Sequence, residues 1–115
     1  MTNFHQDLKE KMDSYAHGVY QVTRNFPLEE RYGVTSQLRR SALSVILNYI
    51  EGYARGGDKV HKYFLNISYG SLKESKYLLH FSLVENFMSP KDYKKCLKLA
   101  DDIGAMLWGT LKNMK

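Results

Sequence analysis

Apolar residues recur every three or four positions along almost the whole sequence of 115 residues. The first such series comprises Phe4, Leu8, Met12, Tyr15, Val19, Val22 and Phe26. This is the period of one face of an α-helix, and no segment shows the strict alternation of apolar and polar residues that is typical of a half-buried strand. The sequence therefore predicts an all-α protein.

Glycine and proline divide the helical pattern into four segments. Pro27 and Gly33 interrupt it first, the Gly56-Gly57 pair forms a turn, and Ser89 before Pro90 is typical of a helix start. We expect helices over about residues 4–24, 34–55, 59–85 and 90–113, with Asp58 and Ser89 as N-caps and connections near residues 25–33, 56–58 and 87–90. Because short links join antiparallel neighbours, residues 1–115 should form one up-down-up-down four-helix bundle domain.

The composition favours a cytoplasmic protein with an anionic partner. The chain has one cysteine, Cys96, which excludes an internal disulfide bond and suits a reducing compartment. Its first residues carry charges instead of the apolar stretch of a signal peptide, and "IGAMLWGTL" is too short to span a bilayer. The formal net charge of +5 fits binding to nucleic acid, but charge concerns association and not the fold.

The second and third helices are predicted to be apolar on two sides. In the second helix, one side has Val34, Leu38, Ala42, Val45 and Tyr49, and the nearly opposite side has Leu43, Leu47, Ile50 and Ala54. In the third helix, a stripe of Phe64, Ile67, Leu78 and Phe81 is separate from a leucine row of Leu65, Leu72, Leu79 and Leu83. A monomeric bundle covers one side of each helix, so the surplus faces, the leucine row among them, predict a homo-oligomer. The alternative is that these wide surfaces belong to one thick core.

A row of polar residues, here called the polar seam, runs along the second helix at spacings of four and three. It comprises Gln37, Ser41, Ser44, Asn48, Glu51 and Arg55, with Arg39 and Arg40 beside it and Ser71 and Glu74 of the third helix as its expected partners. The seam could be a catalytic or ligand-binding line, or a buried hydrogen-bonded network that fixes helix register. We favour the network because no nucleophile lies beside a base. Asn48, Glu51 and Glu74 should then be buried, with some bonds to Arg39 or Arg40.

Sequence patterns argue against metal and covalent chemistry. A di-iron bundle needs Glu-x-x-His on each of two helices, and neither Glu51 nor Glu74 has a histidine at that spacing. The four histidines show no ligand spacing, so we expect no metal, no cofactor and no enzymatic activity. Neighbouring lysines could favour a Cys96 thiolate, but a small half-buried residue is the simpler interpretation.

The second candidate site is a basic line along the third helix, again at spacings of three and four. Its members are Lys59, Lys62, Asn66, Tyr69, Lys73, Lys76 and His80, and the fourth helix adds Lys94, Lys95 and Lys98 near its start. Lysines along a groove can contact phosphates, and Tyr69 or Asn66 could stack on or hydrogen-bond to bases. The alternative is an ordinary solvated helix face, which lysines also occupy.

Three stretches of the sequence are distinctive: "YGVTSQLRRSALSVILNYIEGYARGG", "YFLNISYGSLKESKYLL" and "DDIGAMLWGTLK". They resemble the bacterial four-helix-bundle family of ribosomal RNA intervening-sequence proteins. The most specific positions are Gln37, Arg39, Arg40, Asn48, Glu51, Gly52, Gly70, Ser71 and Glu74. A related branch contains the accessory variability determinant proteins of diversity-generating retroelements, which assist a reverse transcriptase. The resemblance implies a ring-like homopentamer with no known enzymatic activity and a suspected nucleic-acid role.

The sequence thus favours a non-enzymatic, oligomeric bundle that binds structured RNA or other nucleic acid, or that assists a nucleic-acid-processing partner such as a reverse transcriptase. The alternative is a protein–protein scaffold, in which exposed tyrosines and leucines dock another protein without direct nucleic-acid contact. Salt dependence separates the two hypotheses, because phosphate contacts weaken steeply as the salt concentration rises.

Overall fold

Four α-helices account for most of residues 3–114, the part of the chain that the computed structural model describes. They are α1 (Phe4–Thr23), α2 (Val34–Arg55), α3 (Asp58–Val84) and α4 (Pro90–Lys112), with a short 3-10 helix (Leu28–Glu30) between α1 and α2. No strand occurs within these residues, so the predicted all-α class is confirmed. Each helix end lies within one residue of its predicted position.

Each helix packs against the next one along the chain, and α4 also packs against α1, which closes the bundle. Cross-helix contacts show that neighbours run antiparallel: His5 of α1 meets Tyr49 near the end of α2, whereas Arg39 near the start of α2 bonds to Thr23. The contact between α2 and α3 is the most extensive of the four. The structure therefore has the predicted four-helix architecture, with α2 and α3 as its most closely joined pair.

The core is filled by one apolar face of each helix. Side chains with no exposed surface include Leu8, Met12, Tyr15 and Val19 of α1, Leu38, Val45 and Tyr49 of α2, Leu65, Leu72 and Leu79 of α3, and Ile103 and Leu107 of α4. The interpretation of the leucine row as a surplus face is therefore wrong, because three of its four members lie inside the single bundle and Leu83 is half-buried against it.

Buried serines accompany the leucines of that row and obscure its core position in the sequence. Ser68, Ser75 and Ser82 lie among the core leucines of α3 and have no exposed surface. Each hydroxyl donates to a backbone carbonyl, and Ser68 Oγ reaches Val45 O of α2 at 2.6 Å. A serine whose hydroxyl is satisfied in this way can be buried, so polar residues do not exclude a helix face from the core.

The helix ends follow the predicted breaks, with one correction. Ser89 caps α4 by accepting from Asp92 N, and Pro90 is the first helical residue, as predicted. Asp58 is the first residue of α3 and not its cap, because α3 already begins after Gly57. Gly56 and Gly57 have φ angles of 69° and 80°, a conformation that residues with a Cβ atom adopt at a cost, so the turn between α2 and α3 depends on this pair.

The predicted second face of α2 does lie outside the bundle. We call Leu43, Leu47, Ile50 and Ala54 the outer apolar face. Leu47 is 58% exposed and Ile50 is 46% exposed, while Tyr63 and Tyr77 of α3 are also exposed. Because apolar surface of this kind favours contact with another molecule, the face is a candidate interface.

Among the helices within residues 3–114, none combines the length and the apolar character that a membrane-spanning helix requires.

Candidate nucleic-acid interface

The basic line predicted on α3 lies on the surface beside α4. Lys59, Asn66 and Lys73 are exposed, whereas Lys62 and Tyr69 are half-buried. The spacing of three and four residues keeps these side chains on one helical face, and the core leucines occupy another face. The line is therefore accessible from solvent in the single chain.

Aromatic side chains interrupt the lysines at the centre of this line. Tyr69 of α3 and Trp108 of α4 have ring centroids 5.7 Å apart and an angle of 35° between their planes. The Lys73 ammonium lies 5.3 Å from the centroid of the Tyr69 ring, within the range of a cation–π interaction. Lys73, Tyr69 and Trp108 thus form a connected row across α3 and α4, here called the aromatic row.

Acidic residues of α4 hold two of the predicted lysines. Lys76 Nζ lies 2.7 Å from Asp101 Oδ1, and Lys98 Nζ lies 3.0 Å from Asp102 Oδ2. Exposed ion pairs of this type contribute little to stability, but each one offsets the positive charge that a phosphate would meet. Lys76 and Lys98 are therefore poorer candidates for phosphate contacts than Lys59, Lys62 and Lys73.

Other members of the predicted set are engaged or lie elsewhere. The Asn66 amide donates to Lys62 O of its own helix at 3.1 Å. Lys94 and Lys95 are exposed near the start of α4, as expected. Lys95 lines a cleft of about 460 Å³ together with Ser14 and His17 of α1, so it faces away from α3. The structure does not bring Lys95 together with the α3 line.

The centre of the polar seam joins α2 to α3. Ser44 Oγ and Ser71 Oγ are 2.7 Å apart, and Asn48 Nδ2 donates both to Ser44 O at 2.9 Å and to Ser44 Oγ at 2.8 Å. These three residues are half-buried. The geometry favours the structural interpretation of Ser44, Asn48 and Ser71, because each of the three side chains has a hydrogen-bond partner in the helix junction.

The rest of the seam differs from the expectation of burial. Gln37, Arg40 and Glu74 are exposed and line an open cleft of about 470 Å³ between α2 and α3, together with Ser41, Ser44 and Ser71. Glu51 has a side chain that is 43% exposed and accepts from Arg55 Nε at 2.6 Å within its own helix. The expectation that Glu51 and Glu74 are buried and bonded to Arg39 or Arg40 is therefore wrong. Long side chains reach water at the rim of a junction whose short serines stay inside.

Arg39 belongs to a different junction. Its Nε donates to Thr23 Oγ1 at 2.7 Å, its guanidinium lies 4.6 Å from the centroid of the Tyr20 ring, and a second nitrogen approaches Tyr20 O at 3.4 Å. Both partners are in α1. One residue along a helix rotates a side chain by about 100°, so Arg39 and Arg40 point to different neighbours. The sequence analysis does not predict this contact, because it places the partners of the seam on α3 and not on α1.

Cys96 is a buried residue and not an activated nucleophile. Burial raises the pKa of its thiol to about 11, with a further rise from Asp92 and an opposing effect from Lys95. At neutral pH the sulfur is therefore a thiol, which suits its place in the core. Within residues 3–114 no group of three or more His, Cys, Asp or Glu residues is placed to hold a metal ion.

A cluster of histidine and tyrosine at one end of the bundle was not foreseen. His5 Nδ1 and the Tyr49 hydroxyl are 2.8 Å apart, and the Tyr53 ring lies 4.0 Å from His5 and 4.3 Å from His61 between centroids. Burial, followed by the charges of Lys9 and His61, lowers the pKa of His5. The members of this histidine and tyrosine cluster come from three helices, so the spacing of residues along one helix does not indicate the cluster.

These features define the class of protein: it is an all-helical bundle with a polar junction between α2 and α3 and a basic, aromatic surface on α3 and α4. The family model described as "23S rRNA-intervening sequence protein" matches residues 5–109, and the chain belongs to that family. The resemblance to intervening-sequence proteins is thereby confirmed. A comparison with curated proteins found no match.

A solved structure shares the fold. It is the crystal structure of a protein with unknown function from the S23 ribosomal protein family of Bacteroides thetaiotaomicron. The two chains are 19% identical, with a TM-score of 0.84 over 92% of this chain and 99% of the other. At this level of identity the likeness extends to the four-helix fold, and the side chains of each surface must be considered separately.

Proposed function

We propose that this protein is a non-enzymatic, cytoplasmic bundle that binds structured RNA or other nucleic acid through the surface of α3 beside α4. The observation that carries the proposal is the set of accessible lysines Lys59, Lys62 and Lys73 on α3. The aromatic rings of Tyr69 and Trp108 lie beside Lys73. Lysines neutralise phosphates and aromatic rings stack on bases, and nucleic-acid-binding surfaces combine the two. The description of the family, which names the intervening sequence of 23S rRNA, supports the same direction.

The distribution of charge supports binding on this side of α3. The net charge of +5 attracts polyanions over the whole surface, and Lys59, Lys62 and Lys73 concentrate positive charge along one helix. Phosphate contacts of this kind position a nucleic acid without reading its sequence. The proposed mode is therefore electrostatic attachment of a backbone, supplemented by contacts to bases.

Self-association is part of the proposal. The outer apolar face of α2, with Leu47 and Ile50 exposed, fits burial against a second copy of the chain. The family resemblance favours a homopentamer. Repetition of the basic line around a ring would raise the affinity for a long nucleic acid through avidity, even if each single contact is weak.

The state of the candidate nucleophiles within residues 3–114 supports a binding role over catalysis. Cys96 is held as a thiol by burial, and Ser44, the seam serine that hydrogen-bonds to α3, has Ser71 and Asn48 as its partners, which are not bases. A role beside an enzyme that processes nucleic acid, such as a reverse transcriptase, is compatible with this surface. In that case the bundle would hold the nucleic acid while its partner carries out the chemistry.

A binding titration at several salt concentrations tests the proposal. The variant Lys59→Gln/Lys62→Gln/Lys73→Gln removes three positive charges from the line, and the matched control Lys9→Gln/Arg24→Gln/Arg31→Gln removes three exposed charges elsewhere. If the α3 lysines contact phosphates, each lost contact reduces the slope of log K against log salt by about 0.7–0.9. The control should keep most of the wild-type slope.

Two results would contradict the proposal. Equal slopes for wild type and the α3 variant would place the binding surface elsewhere, and a parallel variant of Lys91, Lys94 and Lys95 would then test the start of α4. No binding by the wild-type protein at low salt would favour the alternative of a protein–protein scaffold. For that alternative, the outer apolar face of α2 is the candidate docking surface.

A further inference from the structure

The chain has one tryptophan, Trp108, and it is 53% exposed. Large aromatic side chains are usually buried for most of their area, and an exposed one rimmed by charges often marks a binding surface. Trp108 lies near the end of α4, where Tyr69 of α3 covers part of it. Its remaining surface faces solvent.

A shallow groove of about 230 Å³ runs beside this ring. It lies between Tyr69 and Lys73 of α3 and Gly104, Ala105 and Trp108 of α4. Gly104 and Ala105 leave room next to Trp108 because their side chains are absent or small, and a Cβ atom added at Gly104 would lie 3.4 Å from Leu72. Pockets for drug-sized ligands occupy roughly 300–1,000 Å³, so this groove suits a smaller flat group.

The charges around the groove favour an anionic ligand. Asp101 is its acidic lining residue, and this carboxylate is paired with Lys76 at 2.7 Å. Two lysines and one aspartate leave one net positive charge, supplied by Lys73, whose ammonium lies over the Tyr69 ring. Farther along α3, Lys62 and Lys59 extend the positive charge, and Lys112 is exposed one helical turn after Trp108.

We propose that Trp108 and Tyr69 form a stacking platform for an unpaired base of a nucleic-acid strand, with Lys73 beside it for the adjoining phosphate. This inference rests on the proposed function and specifies its ligand as unpaired nucleotides, such as those of an RNA loop or a single strand. Lys73 lies over the Tyr69 ring at one end of the aromatic row, and the exposed part of Trp108 forms the other end. A base can therefore stack on Trp108, and Lys73 lines the same groove. Base–aromatic stacking tolerates every base because each has a π-face. The platform therefore distinguishes unpaired from paired nucleotides and not one sequence from another.

Tryptophan fluorescence provides a direct test, because Trp108 is the source of all tryptophan emission from this chain. Oligouridine, oligothymidine and a fully paired RNA duplex are titrated into the protein, and binding is followed in parallel by the anisotropy of a label on the nucleic acid. The single strands should quench Trp108 emission over the concentration range in which anisotropy rises. The duplex should cause little quenching, and comparison of the two single strands tells RNA from DNA.

Variants separate stacking from folding. Trp108→Ala should weaken binding of the single strands by about 5- to 150-fold, the range expected from loss of one base stack. Trp108→Phe should recover part of the affinity because it retains a ring. The control Tyr32→Ala removes an exposed aromatic side chain from the turn before α2, outside the groove, and should leave affinity unchanged. Circular dichroism establishes that each variant keeps its helices.

The outcomes distinguish this inference from the proposed function. Salt-dependent binding without quenching, with the affinity of Trp108→Ala equal to that of wild type, would overturn the stacking platform and leave the lysine surface in place. Equal quenching by duplex and single strand would overturn the preference for unpaired bases. Absence of anisotropy change with every nucleic acid would overturn the platform and the proposed function together.

Discussion

Ser44 of α2 and Ser71 of α3 are joined by a hydrogen bond of 2.7 Å between their hydroxyl oxygens. Asn48 donates to the same Ser44 oxygen at 2.8 Å, so two residues of α2 and one of α3 share one network. The junction places small polar groups between the two helices that make the most extensive contact of the bundle. The bond between Ser44 and Ser71 fixes helix register, because a shift of α2 along α3 would separate these two hydroxyls, and Asn48 holds the Ser44 hydroxyl in place from within α2.

Asn48→Ala should therefore destabilise the protein. The substitution removes two hydrogen bonds and leaves the Ser44 carbonyl with one partner fewer in a half-buried junction. We expect a loss of about 1–2 kcal/mol in the free energy of unfolding, measured by chemical denaturation. Gln37→Ala, at an exposed position of the same seam, is the control and should stay within about 0.5 kcal/mol of wild type. Equal effects of the two substitutions would contradict a structural role for the network.

Two glycines should respond to alanine with opposite signs. A Cβ atom at Gly52 would lie 3.2 Å from Phe64 Cβ and 3.3 Å from His61 O of α3, so α2 and α3 would have to move apart. We expect Gly52→Ala to cost about 1–3 kcal/mol in the free energy of unfolding. Gly18 of α1 has no such neighbour within 4 Å, and Gly18→Ala should stabilise the protein by about 0.5–1 kcal/mol through helix propensity. Thermal denaturation of both variants tests the close approach, and a stable Gly52→Ala protein would refute it.

Adjacent arginines provide a third comparison. Arg39 bonds to Thr23 and lies over the Tyr20 ring, whereas Arg40 is exposed at the rim of the α2–α3 cleft. Arg39→Ala should cost about 1–3 kcal/mol in the free energy of unfolding, because Thr23 is buried and loses the donor to its hydroxyl oxygen. Arg40→Ala should have an effect below about 0.5 kcal/mol. If both substitutions were neutral, the contact between α1 and α2 would not depend on Arg39.

The period of the apolar residues was sufficient to predict four helices and their ends, because each helix must bury one face and glycine or proline lies in each break or directly after it. It could not predict which of two apolar faces of α3 is the core. Leu65, Leu72 and Leu79 can lie in the core although Ser68 and Ser75 alternate with them, because each serine hydroxyl bonds to a backbone carbonyl, and these partners are visible only in three dimensions.

The candidate site was predictable only within single helices. The spacing along α3 located Lys62, Tyr69 and Lys73 correctly on one face. The pairing of Lys76 with Asp101 and the position of Trp108 beside Tyr69 depend on the register of α3 against α4, which the spacing does not contain. One signal was available: an isolated tryptophan next to the apolar stripe of α4, where a helix in solution would ordinarily place a polar residue.

The pKa of His5 predicts a pH dependence of stability. Burial first, then Lys9 and His61, lower this pKa below the ordinary value of 6.5, so the folded protein binds fewer protons than the unfolded chain in the window below 6.5. The contribution of neutral His5 is present above the unfolded pKa and is lost as the pH falls toward the folded pKa. Tyr49 and Tyr53 also contact the ring, and burial raises the pKa of Tyr49 far above neutral, so the Tyr49 hydroxyl stays uncharged in this range.

The measurement is the thermal midpoint of wild type, His5→Gln and the exposed control His80→Gln between about pH 7.5 and about pH 5. Wild type should lose more stability on acidification than His5→Gln, whereas His80→Gln should follow wild type. The three proteins are compared by the slope of the thermal midpoint against pH. The loss of stability that comes from removing the contact between His5 and Tyr49 is the same at every pH and does not change this slope. Parallel curves for all three proteins would show that His5 does not control the acid response.

The outer apolar face yields a prediction about assembly. Leu47 is 58% exposed in the single chain, so a lysine at this position can reach solvent without disturbing the core. If this face is buried between copies, Leu47→Lys places a charge in an apolar interface and should reduce the mass measured by light scattering to that of a smaller species or a monomer. Leu28→Lys is the control, because Leu28 is 79% exposed in the 3-10 helix between α1 and α2. This substitution should leave the mass unchanged. A wild-type protein that is monomeric at micromolar concentration would contradict the oligomer itself. An oligomer unaffected by Leu47→Lys would instead move the interface to another surface, with Tyr63 and Tyr77 of α3 the next residues to replace.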